Sequence, residues 1–134
     1  MPASILVIED NEDNITLIDY LLRAHGYTPR LARSGAHGIR IVAEERFELI
    51  LLDIRLPWID GHEVAAAIRR QTGLERAALV AVTDSAMVGD RERIAAAEFH
   101  GYIQKPIDPR TFIGEVEQFL PEVAAERDAA AGGP

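Results

Sequence analysis

The stretch Leu49-Ile50-Leu51-Leu52-Asp53 predicts the fold of this chain. Four consecutive apolar residues before an aspartate are typical of a short strand that is buried on both faces, as in a parallel sheet. The run leads into a segment with the turn signals Pro57 and Asp60-Gly61, so Asp53 lies where a strand passes into a loop. Ligands of open parallel α/β sheets bind outside the carboxyl ends of the strands, which makes Asp53 a candidate site residue. Taken alone, an aspartate that only caps the next helix is the alternative.

Three further apolar runs have the same form, because each ends in a polar residue suited to phosphate or metal chemistry. If the strands are parallel, these endings meet at one edge of the sheet. That edge then carries an acidic pair, a further carboxylate, a hydroxyl and an ammonium group. The runs and their endings are 5–8 with Glu9-Asp10, 79–82 with Thr83-Asp84, and 102–104 with Lys105-Pro106.

Composition limits the classes of protein to which the chain can belong. Its 134 residues, 48% of them hydrophobic, suffice for one core with two helical layers. A formal net charge of -8 argues against nucleic acid as a direct partner. Cysteine is absent, which excludes disulfides and thiolate sites, and no apolar stretch is long enough to span a membrane. We expect a soluble cytoplasmic protein with one folded domain over 1–121 and an Ala- and Gly-rich, partly disordered tail over 122–134.

Helical periodicity between the strands predicts five helices. The strand over 27–33 contains Pro29, which cannot donate to a ladder, so we place that strand at an edge of the sheet. Five alternating strands and helices then predict an α/β fold, a doubly wound parallel sheet of strand order 2-1-3-4-5. The predicted inward-facing residues are Ile15, Ile18, Leu21 and Leu22 in the first helix, Ile39, Val42 and Ala43 in the second (35–45), and Val64, Ala65 and Ile68 in the third (61–72). A short fourth helix is predicted over 91–97, and the fifth begins at an Asp108 cap and buries Phe112, Ile113, Val116, Phe119 and Leu120.

This order of strands places Glu9, Asp10 and Asp53 in one crevice. Three carboxylates repel one another unless a hard cation with oxygen ligands neutralises them, and Mg²⁺ fits best because it needs few protein ligands. The backbone carbonyl of Arg55 is the predicted fourth protein ligand. With the charge neutralised, the Asp53 carboxylate can attack a phosphoryl group.

Two further strand ends complete the predicted phosphoryl site. Lys105 supplies a cation for one phosphoryl oxygen, and Thr83 supplies a hydroxyl donor for another. The Lys105-Pro106 bond is a candidate for the cis form, which the sequence alone does not decide. The four histidines stand singly without metal-ligand spacing, so we interpret them as surface or loop residues. Trp58 is either a cover for the core edge or a contact residue near the site.

At residues 9–10, 53, 83, 102 and 105–106 the chain resembles the receiver domain of two-component response regulators, a flavodoxin-like fold. The segments 7–12 and 86–90 most resemble the single-domain, DivK-like branch. The resemblance implies that Asp53 is the phosphoacceptor and that Thr83 and Tyr102 form a coupled switch. It also implies Mg²⁺ as the cofactor, with Glu9 and Asp10 as the acidic metal-binding pair and Lys105 as the phosphate contact.

The function implied by the resemblance is that of a signalling switch and not of a metabolic enzyme. A sensor histidine kinase or a histidine phosphotransfer protein would supply the phosphoryl group, and a downstream protein would read the changed conformation. The domain would promote its own phosphoryl transfer and autodephosphorylation. Homodimerisation stays open, and no nucleic acid or membrane partner is expected.

Two positions depart from the family pattern, and two alternative functions remain open. Asp84 stands where a small residue is usual, and Glu98 replaces a glycine. A carboxylate at Asp84 would repel a phosphoryl group, which is the argument for a pseudo-receiver that binds partners without phosphorylation. A phosphatase of the haloacid-dehalogenase type also uses an aspartate nucleophile, but it requires a second aspartate where this chain has Arg55.

Overall fold

The computed structural model describes residues 3–53, 61–72, 77–83 and 99–120. Within them, five strands form one parallel sheet in the order β2-β1-β3-β4-β5, as predicted. The strands are β1 (Ile5–Ile8), β2 (Arg30–Ala32), β3 (Leu49–Asp53), β4 (Ala78–Thr83) and β5 (Gly101–Gln104). The helices are α1 (Glu12–Ala24), α2 (Gly35–Glu44), α3 (Gly61–Thr72) and α4 (Phe112–Glu117), the last corresponding to the fifth predicted helix.

The central strand β3 confirms the interpretation of its apolar run. All five of its residues are buried, and it pairs in parallel with β1 on one side and β4 on the other. The register aligns Ile8 with Leu52 and Asp53 with Val82, so the carboxyl ends of these strands lie side by side. The edge position of β2 is also confirmed, although its ladder covers three residues and not the seven predicted.

The first helix follows the prediction closely. The Asn11 side chain caps it by accepting a hydrogen bond from the Asn14 amide at 3.0 Å. The four residues predicted to face inward, Ile15, Ile18, Leu21 and Leu22, are the four buried residues of this helix. Spacing by three and four residues thus placed one apolar face correctly.

The predicted inward face of α2 is partly wrong. Ala43 is exposed and Ile39 is half-buried, whereas Ile41 and Val42 are buried. Gly38 explains the difference, because its backbone lies so close to the Ile8 side chain that a Cβ atom at this position would overlap it. Because this glycine faces β1, it sets the rotation of the helix and turns Ala43 outward.

The predicted start of the C-terminal helix is also wrong. Asp108 does not cap α4; its carboxylate accepts from the Arg110 amide at 2.9 Å, and its carbonyl accepts from Thr111 and Phe112. These bonds form a turn that precedes the helix. The predicted face is otherwise confirmed, although Phe119 is only half-buried.

The core has one apolar layer on each face of the sheet. On one face α2 and α3 pack on the strands, and on the other α1 and α4 do so. The first layer includes Leu6, Ile8, Ile50, Leu52, Leu79, Ala81, Val42, Val64 and Ile68. The second includes Ile5, Val7, Leu49, Leu51, Val80, Val82, Ile18, Leu22, Phe112 and Val116. Successive residues of each strand therefore pack into opposite layers, as expected for a doubly wound sheet.

Two predictions lie outside the described residues: the short helix over 91–97 and the tail over 122–134. The boundary at residue 121 therefore stays a prediction. None of the helices that the structure describes has both the length and the apolar character needed to cross a bilayer.

Candidate functional site

The carboxyl ends of four strands bring mostly buried polar side chains together. Glu9 follows β1, Asp53 ends β3 and Thr83 ends β4, with exposed fractions of 1%, 4% and 1%. Lys105 follows β5, and its side chain is 15% exposed. Burial of charged groups costs free energy unless they are paired, so these side chains should have partners of opposite charge close by.

Lys105 is the cation that pairs these carboxylates. Its Nζ atom lies 2.8 Å from Glu9 Oε1 and 3.3 Å from Asp53 Oδ2. Its backbone amide donates to the Thr83 carbonyl at 2.7 Å, and the Lys105-Pro106 peptide bond is cis. Burial alone would lower the pKa of the ammonium group, but the contacts with the two carboxylates outweigh burial and raise it.

The surroundings of Glu9 shift the pKa of its carboxyl group strongly upward. Burial, followed by the nearby Asp53 carboxylate, raises the pKa of Glu9 from 4.5 to about 7, and Lys105 offsets only part of this. One ammonium group thus faces two carboxylates at close range. Among the described residues of this site, the carboxylates outnumber the ammonium group.

The same carboxylates are arranged to hold a metal ion. Oxygen atoms of Glu9, Asp10 and Asp53 lie within 4.8 Å of one another, and Asp10 is exposed while the other two are buried. Glu9 Oε2 is a buried atom with no hydrogen-bond partner among the described residues. Oxygen ligands, excess negative charge and an unsatisfied buried oxygen fit a hard divalent cation.

Thr83 and Tyr102 lie on the same face of the sheet. Thr83 is in register with Gln104, and Ala81, two residues before Thr83, is in register with Tyr102. Residues two apart on a strand share a face, so the threonine and the tyrosine are diagonal neighbours. Tyr102 is half-buried and packs against the layer formed with α2 and α3.

Of the predicted site residues, Glu9, Asp10, Asp53, Thr83 and Lys105 are brought together as expected. The Arg55 carbonyl, Trp58, Asp84 and Glu98 lie outside the described residues. Sequence reasoning did not foresee that Lys105 approaches Glu9 more closely than Asp53. Nor did it foresee that His100, which is exposed as expected, makes specific hydrogen bonds.

Comparison with known proteins identifies relatives over nearly the whole chain. The family model of the response regulator receiver domain matches residues 5–117. The polar-differentiation response regulator DivK of Brucella anthropi is 38% identical over 120 residues, which cover 90% of this chain and 98% of that protein. DivK of Brucella ovis matches with the same identity and coverage.

Solved structures agree with this result. The CheY-like receiver domain protein from Methanospirillum hungatei superimposes with a TM-score of 0.82 at 25% identity, covering 94% of this chain and 99% of that one. The receiver domain of the sensor histidine kinase PA1611 from Pseudomonas aeruginosa gives 0.81 at 32% identity, covering 90% and 99%, and its structure has a magnesium ion coordinated in the active site cleft. Sequence, fold and site thus agree that this chain belongs to the response regulator receiver domain family.

Proposed function

We propose that Asp53 is the phosphoacceptor of this receiver domain and that a sensor histidine kinase or a histidine phosphotransfer protein is the donor. The observation that carries the proposal is the position of the Asp53 carboxylate, buried at the end of β3 and 3.3 Å from the Lys105 ammonium group. A nucleophile needs a nearby cation to stabilise the charge that arrives with a phosphoryl group. We also propose a cytoplasmic location, with which a chain free of cysteine is compatible.

We assign Mg²⁺ to the carboxylates of Glu9, Asp10 and Asp53, with the Arg55 carbonyl as the further ligand indicated by the sequence. Support comes from the 4.8 Å cluster and from the magnesium ion in the receiver domain of PA1611. The bound ion would supply positive charge that offsets the three carboxylates and the phosphoryl oxygens. Asp53, Lys105 and Thr83 would each have a separate role in the transfer step.

In the transfer step, an Asp53 carboxylate oxygen forms a bond to phosphorus. The bond between phosphorus and the donor's imidazole nitrogen breaks, and its electron pair stays on that nitrogen. Lys105, which in this structure bridges Glu9 and Asp53, contacts a phosphoryl oxygen, and the Thr83 hydroxyl donates to another. The donor's phosphohistidine ring carries a proton on its second nitrogen, so the products are an aspartyl phosphate and a neutral imidazole.

The output we propose is a change in the surface around β5. Movement of the Thr83 side chain toward the phosphoryl group would alter the space beside its diagonal neighbour Tyr102. Hydrogen bonds to a charged phosphoryl group contribute about 1.5–3 kcal/mol each, which can invert a conformational bias of a few kcal/mol. A downstream protein would then bind the altered surface.

Intact-mass spectrometry tests the proposal. The protein is incubated with acetyl phosphate and Mg²⁺, and we expect one added phosphoryl group that is lost on chelation. Asp53→Asn keeps the shape of the side chain but removes the nucleophilic carboxylate, so it should remain unmodified. Asp13→Asn, an exposed position in the first turn of α1, is the matched control and should be modified normally. Full modification of Asp53→Asn would overturn the assignment.

A further inference from the structure

The amino-terminal edge of the sheet, opposite the phosphoryl site, contains a histidine whose ring accepts two hydrogen bonds. His100 Nδ1 lies 3.0 Å from the Leu79 backbone nitrogen and 3.2 Å from Arg69 Nη2. A backbone amide and a guanidinium group can only donate. The Nδ1 atom must therefore hold a lone pair, which makes the ring neutral, with its proton on Nε2.

The His100 ring takes the place of a backbone acceptor on β5 for the first amide of β4 that faces this strand. Ala78 donates its amide to Glu48 before β3, at 2.9 Å, so the next amide, that of Leu79, points toward β5. The β4–β5 register begins only with Val80 opposite Gly101. The imidazole accepts the Leu79 amide at this point, and the His100 amide donates back to the Leu79 carbonyl at 2.8 Å. His100 thus satisfies both the amide and the carbonyl of Leu79 at the end where the β4–β5 ladder begins.

We infer that the His100 imidazole is a proton-sensitive clasp that ties the start of β5 to β4 and α3 when neutral and releases them when protonated. Protonation converts Nδ1 into a donor that faces two donors, and it places a positive charge against the Arg69 guanidinium group. Both hydrogen bonds are then lost. Tyr102 lies two residues along β5, so the release loosens the segment that carries the half-buried aromatic ring. This inference does not depend on phosphorylation at Asp53.

The charges around the ring favour the neutral form. Burial and then the charge of Arg69 hold the pKa of His100 below its usual 6.5. Among the described residues, Arg69 of α3 is the charged group that acts on the ring, while β4 and β5 present backbone atoms to it. A lowered pKa in the folded state means that the clasp is complete above pH 6.5 and is lost as the pH falls through the lower, folded-state pKa.

A second histidine provides a control within the same molecule. His25 Nδ1 lies 2.9 Å from the Leu21 carbonyl oxygen, which can only accept, so this ring donates. Protonation of His25 preserves its bond, whereas protonation of His100 breaks two. The hydrogen bond of His25 therefore does not require a neutral ring, whereas the two bonds of His100 do.

Amide hydrogen exchange followed by NMR tests the clasp in the full chain. Between pH 7.5 and pH 5.0 we expect the protection of the Leu79 amide, corrected for the intrinsic pH dependence, to fall about two- to tenfold, the equivalent of one hydrogen bond. His100→Asn offers a non-titrating acceptor and should abolish this fall. His25→Asn should retain it. Because Glu9 is present in every variant, its own titration cannot account for a difference between them.

Ring ¹⁵N shifts of the wild-type protein provide a test that needs no variant. We expect an unprotonated Nδ1 at pH 7.5, and we expect the Leu79 amide shift to titrate with the same midpoint as the His100 ring. Overturning results are a proton on Nδ1 at pH 7.5, a Leu79 amide that does not follow the ring, or an equal loss of protection in His100→Asn.

Discussion

The two edges of the sheet shift the pKa values of their ionisable groups in opposite directions. At the carboxyl edge, Glu9 and Asp53 face one ammonium group, and burial raises the pKa of Glu9 to about 7. At the amino edge, His100 faces two donors, and burial lowers its pKa. Both shifts favour the neutral form, because the low-dielectric interior penalises charge of either sign. The difference lies in the charge that remains: Glu9 and Asp53 face an ammonium group at the carboxyl edge, whereas the hydrogen bonds at the amino edge require a neutral His100 ring.

Because of these opposite pKa shifts, Glu9 and His100 contribute to the stability of the folded state with opposite pH dependence. The raised pKa of Glu9 stabilises the folded state below pH 4.5, and this contribution is lost as the pH rises through about 7. The lowered pKa of His100 stabilises it above pH 6.5, and this contribution is lost as the pH falls. As the pH falls from 7, the contribution of Glu9 to the stability of the metal-free protein should therefore increase, while that of His100 should decrease.

Removal of the cation from the carboxyl edge should have the largest effect. Lys105→Met removes the ammonium group that contacts both Glu9 and Asp53, and we expect the free energy of unfolding at pH 8 to fall by about 3 kcal/mol. Urea denaturation without Mg²⁺ measures this. Lys105→Arg keeps the charge and serves as the control, with a smaller loss. A Lys105→Met protein as stable as wild type would mean that the carboxylates do not depend on this cation.

Removal of the excess negative charge should have a smaller effect of opposite sign. Without Mg²⁺ at pH 8, Glu9→Gln should raise the free energy of unfolding by about 1 to 3 kcal/mol, because the buried carboxylate no longer has to ionise. Between pH 5 and pH 8 the wild type should lose stability while Glu9→Gln does not. Addition of Mg²⁺ should stabilise the wild type more than the variant.

Glu12→Gln is the matched control for Glu9→Gln. Glu12 lies near the same edge but is exposed and pairs with Arg33. Its replacement should leave the pH dependence between pH 5 and pH 8 unchanged. If both variants changed that dependence equally, burial of Glu9 would not be its cause.

The smallest effect is expected at the amino edge. Arg69→Gln removes the positive charge beside the His100 ring, so the pKa of His100 should rise toward 6.5. An NMR titration of the ring measures this shift, and His25 in the same spectrum is the internal reference. A His100 midpoint that stays in place would show that burial alone lowers its pKa.

The sequence predicted those features that depend on short apolar runs and their endings. The β3 run specified a strand with two buried faces and therefore a parallel sheet, and Pro29 specified which strand lies at the edge. Parallel topology then required Glu9, Asp53 and Thr83 to meet. No contact between side chains had to be known for these predictions.

Features that depend on contacts between elements were not predictable. The rotation of α2 follows from the approach of Gly38 to Ile8, which no periodicity reveals, and Ala43 was therefore misplaced. The turn at Asp108 satisfied the pattern of a helix cap equally well. His100 was interpreted as an ordinary surface residue because its partners, Arg69 and Leu79, are distant in sequence.

The central claim is that Asp53, among three clustered carboxylates, forms the bond to phosphorus. Borohydride reduction of the phosphorylated protein converts an aspartyl phosphate into the corresponding alcohol, which peptide mass spectrometry then locates. After incubation with acetyl phosphate and Mg²⁺, we predict homoserine at position 53 and none in samples treated with a chelator. Reduction at Asp10 or Glu9, with position 53 unchanged, would contradict the account.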